Sequence, residues 1–301
     1  MSTDEQAPLD PEELEAARAP VTADPAPSTT MGAVHLTVAD LGRSLDYYRT
    51  QIGLALLAEE NGTATLGAGA RELLVLHEEP GARPADGYSG LYHFALLVPG
   101  RRDLARWLAH AARDGVPLTG LSDHAVSEAI YLRDPDGHGI EIYRDRPREQ
   151  WEGRVLELMT TIPLDTHDLL AELDDPDSDR FDGLPDGTVM GHVHLRVAAI
   201  EPTVDFYRDL GFELMAQLGT QAAFMAVGGY HHHLGANTWE SAGRPQPPPG
   251  HANLRHATIV LPDSGERDRV LDRVGGRRDT PAGPTVEDPS GNRFVLEVAD
   301  A

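Results

Sequence analysis

A pattern of alternating apolar and polar positions recurs four times along the chain. MetGlyAlaValHisLeuThrValAla begins at Met31, and MetGlyHisValHisLeuArgValAla begins at Met190. Shorter segments of the same kind begin at Leu91 and Leu254, and each of them also contains a histidine. Alternation over this length is typical of a strand that packs on one face. The repetition predicts that the chain consists of four related modules.

Each module reads as a strand, a helix and several further strands. In two modules the helix ends in an aromatic pair, within AspTyrTyrArg at 46–49 and AspPheTyrArg at 205–208. In the other two, a turn sequence leads into the last strand, AspProAspGly at 134–137 and AspProSerGly at 288–291. The four modules are predicted near residues 31–80, 90–146, 189–240 and 253–300.

The predicted fold class is α+β, with four βαβββ modules that form two half-barrel clefts. One module buries its concave face poorly by itself, whereas two modules together enclose a cleft. The predicted domain organisation consists of a disordered N-terminal arm at 1–30, a first two-module domain at 31–146, a linker at 147–188 and a second two-module domain at 189–301. The linker is expected to contain a helix at Asp165–Leu173.

Composition excludes several classes of partner and site. The chain has 25 basic and 49 acidic residues, and its net charge of −24 argues against binding to nucleic acid or to an anionic membrane. It has no cysteine, which excludes disulfides, iron–sulfur clusters and thiolate zinc sites. The sequence lacks an apolar run of membrane-spanning length and a secretory signal, so a cytoplasmic location is expected.

The candidate chemistry lies in module two. Glu141 stands between Ile140 and Ile142 in a predicted strand, and a carboxylate in such a position is costly to bury unless something pairs with it. The first strand of the same module contains His93. Two histidines and one carboxylate form the facial triad of non-haem Fe(II) oxygenases, so the pattern predicts a divalent metal site.

The fourfold pattern, the histidines at the module starts and the segment AspProAspGlyHisGlyIleGluIleTyr at 134–143 resemble the vicinal oxygen chelate superfamily. Within it, residues 31–300 look like the extradiol ring-cleaving dioxygenases of the catechol 2,3-dioxygenase group. The resemblance implies that His93 and Glu141 are metal ligands. Tyr131 and His124 fall where that family places an active-site tyrosine and a histidine close to the ligands.

The third ligand depends on which modules pair. If modules two and three share a cleft, the resemblance favours His194, and if modules one and two do, it favours His35. Module three also contains His192, on the same strand face as His194. It further contains three consecutive histidines at 231–233, of which His232 matches the family's acid–base histidine. Module three offers both a histidine in its first strand and a match to the acid–base histidine. His194 is therefore the predicted ligand, and His35 is the alternative.

The function implied by the resemblance is extradiol cleavage of a small catechol-like aromatic by O2, as in aromatic catabolism. The implied metal is Fe(II), which Mn, Ni or Zn can replace in an imidazole–carboxylate site. His232, His124 and Tyr131 are the predicted catalytic residues, and assembly as a homo-oligomer stays open. Two alternatives share the fold, namely a glyoxalase-like lyase or isomerase with four protein ligands, and a non-enzymatic resistance protein that binds small molecules.

Overall fold

The fold is known from a computed structural model that describes residues 28–175, 179–274 and 278–299. The predicted arm at residues 1–30 lies outside the described residues, apart from its last three positions. Among the described residues, no helix combines the length and the apolar character that crossing a membrane requires.

All four predicted modules are present, and each has the order strand, helix and three strands. Module one comprises β1 (Thr30–Val38), α1 (Leu41–Tyr47), a π-helical turn (Tyr48–Ile52), β2 (Ala55–Glu60), β3 (Thr63–Ala68) and β4 (Arg71–Glu78). The short strand β5 (Arg83–Pro84) follows. Module two comprises β6 (Gly90–Leu97), α2 (Arg101–Asp114), β7 (Gly120–Asp123), β8 (Ser127–Arg133) and β9 (Gly139–Asp145).

The second half of the chain repeats this order after the linker. The linker contains a 3₁₀ turn (Arg148–Gln150), α3 (Val155–Leu158), β10 (Ile162–Pro163) and α4 (Thr166–Leu170). Module three comprises β11 (Val189–Arg196), α5 (Ile200–Asp209), β12 (Glu213–Leu218), β13 (Ala222–Ala226) and β14 (Leu234–Asn237). After β15 (His251–Ala252), module four comprises β16 (Leu254–Leu261), α6 (Ser264–Arg273), β17 (Arg278–Thr280), β18 (Gly283–Glu287) and β19 (Arg293–Val298).

The predicted linker helix is present but short. Asp165 caps α4, because its side chain accepts a hydrogen bond from the backbone amide of Asp168. The helix ends at Leu170, three residues before the predicted end.

The strands form two large sheets, and each sheet takes one module from either side of the linker. Modules four and one share an eight-stranded sheet, with the order β17-β18-β19-β16-β1-β4-β3-β2. Modules two and three share a nine-stranded sheet, with the order β10-β7-β8-β9-β6-β11-β14-β13-β12. The first strands of the paired modules are antiparallel neighbours at the centre of each sheet. The predicted division into domains at 31–146 and 189–301 therefore does not follow the sheets, because sequential modules lie in different ones.

The turn before β9 positions the strand that carries Glu141. In this AspProAspGly turn, one carboxylate oxygen of Asp134 accepts the backbone amides of Asp136 and His138. The other oxygen accepts a hydrogen bond of 2.9 Å from the hydroxyl of Tyr48, a fully buried residue of module one. Since module one belongs to the other sheet, this hydrogen bond ties the two sheets together at the start of β9.

Candidate metal centre

A row of three residues across the nine-stranded sheet determines which side chains meet. Ala95 of β6 is in register with Glu141 of β9 on one side and with His192 of β11 on the other. The small side chain of Ala95 leaves space above it, so the longer side chains on either side can approach each other. His93 lies two residues before Ala95 and therefore on the same face of β6.

Three donor atoms converge above this row. Nε2 of His93 and Nε2 of His192 each lie 3.0 Å from Oε2 of Glu141. The two Nε2 atoms lie 3.3 Å apart. All three residues are buried, and among the described residues they alone form a histidine–carboxylate group with metal-binding separations.

The charge states of this triad suit a cation. Burial by itself raises the pKa of Glu141, but the charges and hydrogen bonds of His192 and His93 outweigh burial and hold that pKa well below its ordinary value. Burial lowers the pKa of His192, although Glu141 opposes the shift. An ionised carboxylate and a neutral imidazole are the forms that bind a metal.

The separations also fit a single ion. Two donors that bind one ion at about 2.1 Å, at a right angle to each other, lie about 3.0 Å apart. The observed distances of 3.0 to 3.3 Å are close to that value. Two imidazoles and one carboxylate on one side of an ion leave its other positions open for small ligands. The residues present therefore fit a catalytic divalent metal.

His194, the third ligand predicted from the sequence, is placed beside the triad rather than in it. Its Nε2 accepts a hydrogen bond of 3.0 Å from the side-chain amide of Asn237. Its ring packs against the backbone of Gly235, where a Cβ atom would lie 2.7 Å from the ring. The donor atoms that converge with those of His93 and Glu141 thus belong to His192 and not to His194, although the ring centroid of His194 lies 4.9 Å from that of His93.

A cavity of about 310 Å³ opens next to the triad. His93 and Glu141 form part of its wall, and so do all three predicted catalytic residues, His232, His124 and Tyr131. Aromatic side chains cover other parts of the wall, namely Tyr92, Phe224 and Trp239. The volume and the combination of aromatic side chains with several polar and titratable groups are compatible with a site for a small polar aromatic molecule.

Tyr131 and His124 form a pair whose hydrogen positions can be deduced. Nδ1 of His124 lies 2.9 Å from the carbonyl oxygen of Thr160, so this nitrogen carries the hydrogen. Its Nε2 then accepts the Tyr131 hydroxyl, at 2.8 Å. The linker residue Thr160 therefore helps to orient a tyrosine in the cavity wall, a contribution that the sequence did not indicate.

The three consecutive histidines lie in the loop before β14 rather than within a strand. His232 lines the cavity, and its ring centroid is 4.1 Å from that of His192. Burial, with smaller effects from His192 and His231, lowers the pKa of His232 well below its ordinary value. His231 is fully buried and contacts Asp145 of β9, which sequence reasoning did not single out.

Comparison with known proteins identifies the family. The sequence model for the glyoxalase/bleomycin resistance protein/dioxygenase superfamily matches residues 30–142 and 189–296. The chain belongs to this superfamily.

Relatives within the superfamily narrow the type of enzyme. A catechol-2,3-dioxygenase of Bacillus subtilis is 43% identical over 255 residues, which cover 82% of this chain and 87% of that protein. The fold also matches the crystal structure of glyoxalase I from Zea mays, with a TM-score of 0.53, 18% identity, and coverage of 89% of this chain and 92% of that one. The superfamily fold with two half-barrels is confirmed, and the chain is an extradiol dioxygenase-like oxidoreductase.

The other half-barrel of this superfamily member has no carboxylate at the position equivalent to Glu141. His256 of β16 faces His35 of β1 in the same way that His93 faces His194. Thr258 lies two residues after His256, just as Ala95 lies two residues after His93. Its partner in register is Val295, which therefore occupies the position of Glu141. His35, the alternative ligand, stacks on His256 with ring centroids 3.9 Å apart and is hydrogen-bonded to His77. The structure thus places His35 in the sheet that does not contain His93 and Glu141.

The histidines of this second half-barrel should make stability depend on pH. Burial, together with the nearby His256, His77 and Arg255, lowers the pKa of His35 to about 3. Burial, followed by His77, Arg255 and Arg293, lowers the pKa of His256 to about 4. An unfolded histidine takes up its proton near pH 6.5, so between about pH 6.5 and 4 the unfolded chain binds more protons than the folded one.

The free energy of unfolding is therefore expected to fall as the pH is lowered from 7 to 4. Urea denaturation at a series of pH values measures the slope, and His35→Gln should make it shallower. Equal slopes for the parent and His35→Gln would show that His35 does not contribute.

Proposed function

We propose that the protein is a metal-dependent extradiol dioxygenase that cleaves a catechol-like ring with O2, using Fe(II) held by His93, His192 and Glu141. The observation that carries the proposal is the triad of two imidazoles and one carboxylate, of which His93 and Glu141 line a cavity of about 310 Å³. The 43% identity to a protein named catechol-2,3-dioxygenase supports the same reaction class.

A metal held by His93, His192 and Glu141 would supply Lewis acidity and a path for electrons between a catechol and O2. The protein supplies the surroundings. Glu141 would supply the negative charge of the site, and three ligands on one side of an ion leave its other positions open for small ligands. The aromatic side chains of Tyr92, Phe224 and Trp239 offer faces against which a substrate ring can pack.

His232 is proposed to take up and return the proton of a catechol hydroxyl. It lines the cavity and lies against His192, so it is within reach of a ring bound next to the triad. Tyr131 is proposed to orient a substrate oxygen. Since its hydrogen is donated to His124, its hydroxyl oxygen presents lone pairs to the cavity.

The identity of the third ligand gives a direct test of the site. His192→Ala should lose most of its metal after dialysis, because it removes one of three donors. His194→Ala is the matched control on the same strand face, and it should retain metal because Nε2 of His194 is engaged by Asn237. Elemental analysis of both variants after loading with Fe(II) decides the matter, and loss of metal from His194→Ala alone would place the ligand there.

The reaction class is tested with substrates. The parent protein, loaded anaerobically with Fe(II) and then exposed to air, should convert at least one simple catechol to a yellow ring-opened product. If no catechol is cleaved while a glutathione hemithioacetal is isomerised, the glyoxalase-like alternative replaces the proposal.

A further inference from the structure

A continuous chain of hydrogen bonds leads from His232, in the cavity wall, to the end of β9. Nδ1 of His232 lies 2.9 Å from Nδ1 of His231, and Nε2 of His231 lies 2.8 Å from Oδ1 of Asp145. Asp145 is four residues beyond Glu141 and on the same face of the strand. Its other oxygen accepts the hydroxyl of Tyr230 at 2.9 Å.

The hydrogen positions along this chain follow from the chemistry of its end. An ionised carboxylate has no hydrogen to donate, so at the contact with Asp145 the hydrogen is on Nε2 of His231. A neutral imidazole then has its lone pair on Nδ1, which makes His231 the acceptor from His232. The hydrogen of His232 is consequently on Nδ1, and its lone pair is on Nε2.

His231 lies among aromatic rings, and both of its ring nitrogens are engaged within the chain of hydrogen bonds. The ring is fully buried, with the rings of Tyr230 and Trp151 at centroid distances of 4.0 and 5.5 Å.

We propose that Asp145 and His231 are positioning residues that hold His232 in the tautomer with hydrogen on Nδ1 and the lone pair on Nε2, directed to the cavity. His232 then meets the substrate as a proton acceptor: a bond forms between Nε2 and hydrogen as the catechol O–H bond breaks. The consequence for turnover rests on the proposed function, whereas the tautomer itself does not.

The tautomer can be read directly by NMR. The probe is protein labelled with ¹⁵N-histidine and loaded with diamagnetic Zn(II), and the signals are assigned with His231→Gln and His232→Gln. In the parent, His232 should show a protonated Nδ1 and an unprotonated Nε2, and His231 should show a protonated Nε2. A parent spectrum with hydrogen on Nε2 of His232 overturns the proposal, even if no Asp145 variant folds.

Three variants test the cause. In Asp145→Asn, the hydroxyl of Tyr230 should donate its hydrogen bond to the amide oxygen, so that the NH₂ group faces His231. His231 would then accept a hydrogen bond on Nε2 and donate from Nδ1 to Nδ1 of His232, which reverses every hydrogen bond along the chain. His232 should then carry its hydrogen on Nε2. Asp145→Glu should restore the parent tautomer, and Tyr230→Phe, which removes the other hydrogen bond to the same carboxylate, should leave it unchanged.

Turnover provides a second readout. With Fe(II) and catechol, Asp145→Asn should lower kcat by about 10–100-fold, the usual effect of losing a partner that orients an active-site group, while KM and metal content change little. Asp145→Glu should recover most of this loss. An unchanged His232 tautomer in Asp145→Asn contradicts the proposal, whereas failure of the parent to cleave catechols contradicts the proposed function and leaves the tautomer result standing.

Discussion

Glu141→Ala is expected to lose its metal and, with it, ring cleavage. The substitution removes the carboxylate donor of the triad and leaves two buried imidazoles whose Nε2 atoms are 3.3 Å apart. Residues that merely orient metal ligands contribute about 10–100-fold to affinity, so loss of a ligand should weaken binding by more than about 100-fold. Elemental analysis after dialysis, together with a catechol assay, measures both effects.

The control for this experiment is Glu297→Ala. Glu297 lies on β19, the strand of the other half-barrel that is equivalent to β9, and it is exposed. This variant should retain its metal and its activity. Full metal content in Glu141→Ala would show that the ion binds elsewhere.

His232→Phe is expected to keep both metal and substrate binding but to lower kcat by about 10²–10⁴-fold, the usual contribution of a general acid–base group. The side chain lines the cavity and is not one of the three converging donors. Steady-state kinetics and metal analysis separate the two properties, because loss of metal would identify His232 as a fourth ligand.

The neighbouring His233 provides a matched control for this variant. It is also part of the histidine run, but its Nδ1 is engaged with the backbone amide of Val227. His233→Gln should turn over catechol at close to the parent rate. Parent-like turnover by His232→Phe would show that His232 has only a structural role.

The sequence was sufficient to predict the four modules, because strand alternation, turn sequences and repeated motifs are local signals. It also pointed to His93 and Glu141, since a carboxylate between two isoleucines requires a partner. The assignment of modules to sheets depends on contacts between distant segments, and local patterns left two pairings open.

The choice between His192 and His194 illustrates the same limit. The two residues share a strand face, and the ValHisLeu sequence of module one led to the comparison of His194 with His35. An alignment of all four module starts would instead place His93, His192 and His256 in one column, with Ala33 in module one. Only the register of β11 with β6, together with that of β6 with β9, shows that His192 meets Glu141 above Ala95.

Asp145 shows what sequence reasoning could not reach. It is one acidic residue among many, and its significance comes from its hydrogen bond to His231, 86 residues away along the chain. Its alternation with Glu141 and Tyr143 on one face of β9 is visible in the sequence. That pattern alone does not identify the partner.

A parallel measurement of O2 uptake and product formation by the Fe(II)-loaded protein with catechol tests the proposed ring cleavage most directly. We expect one O2 to be consumed for each molecule of yellow product, and Glu141→Ala to show neither signal. A parent protein that binds metal at the triad but consumes no O2 with any catechol would contradict the proposed reaction.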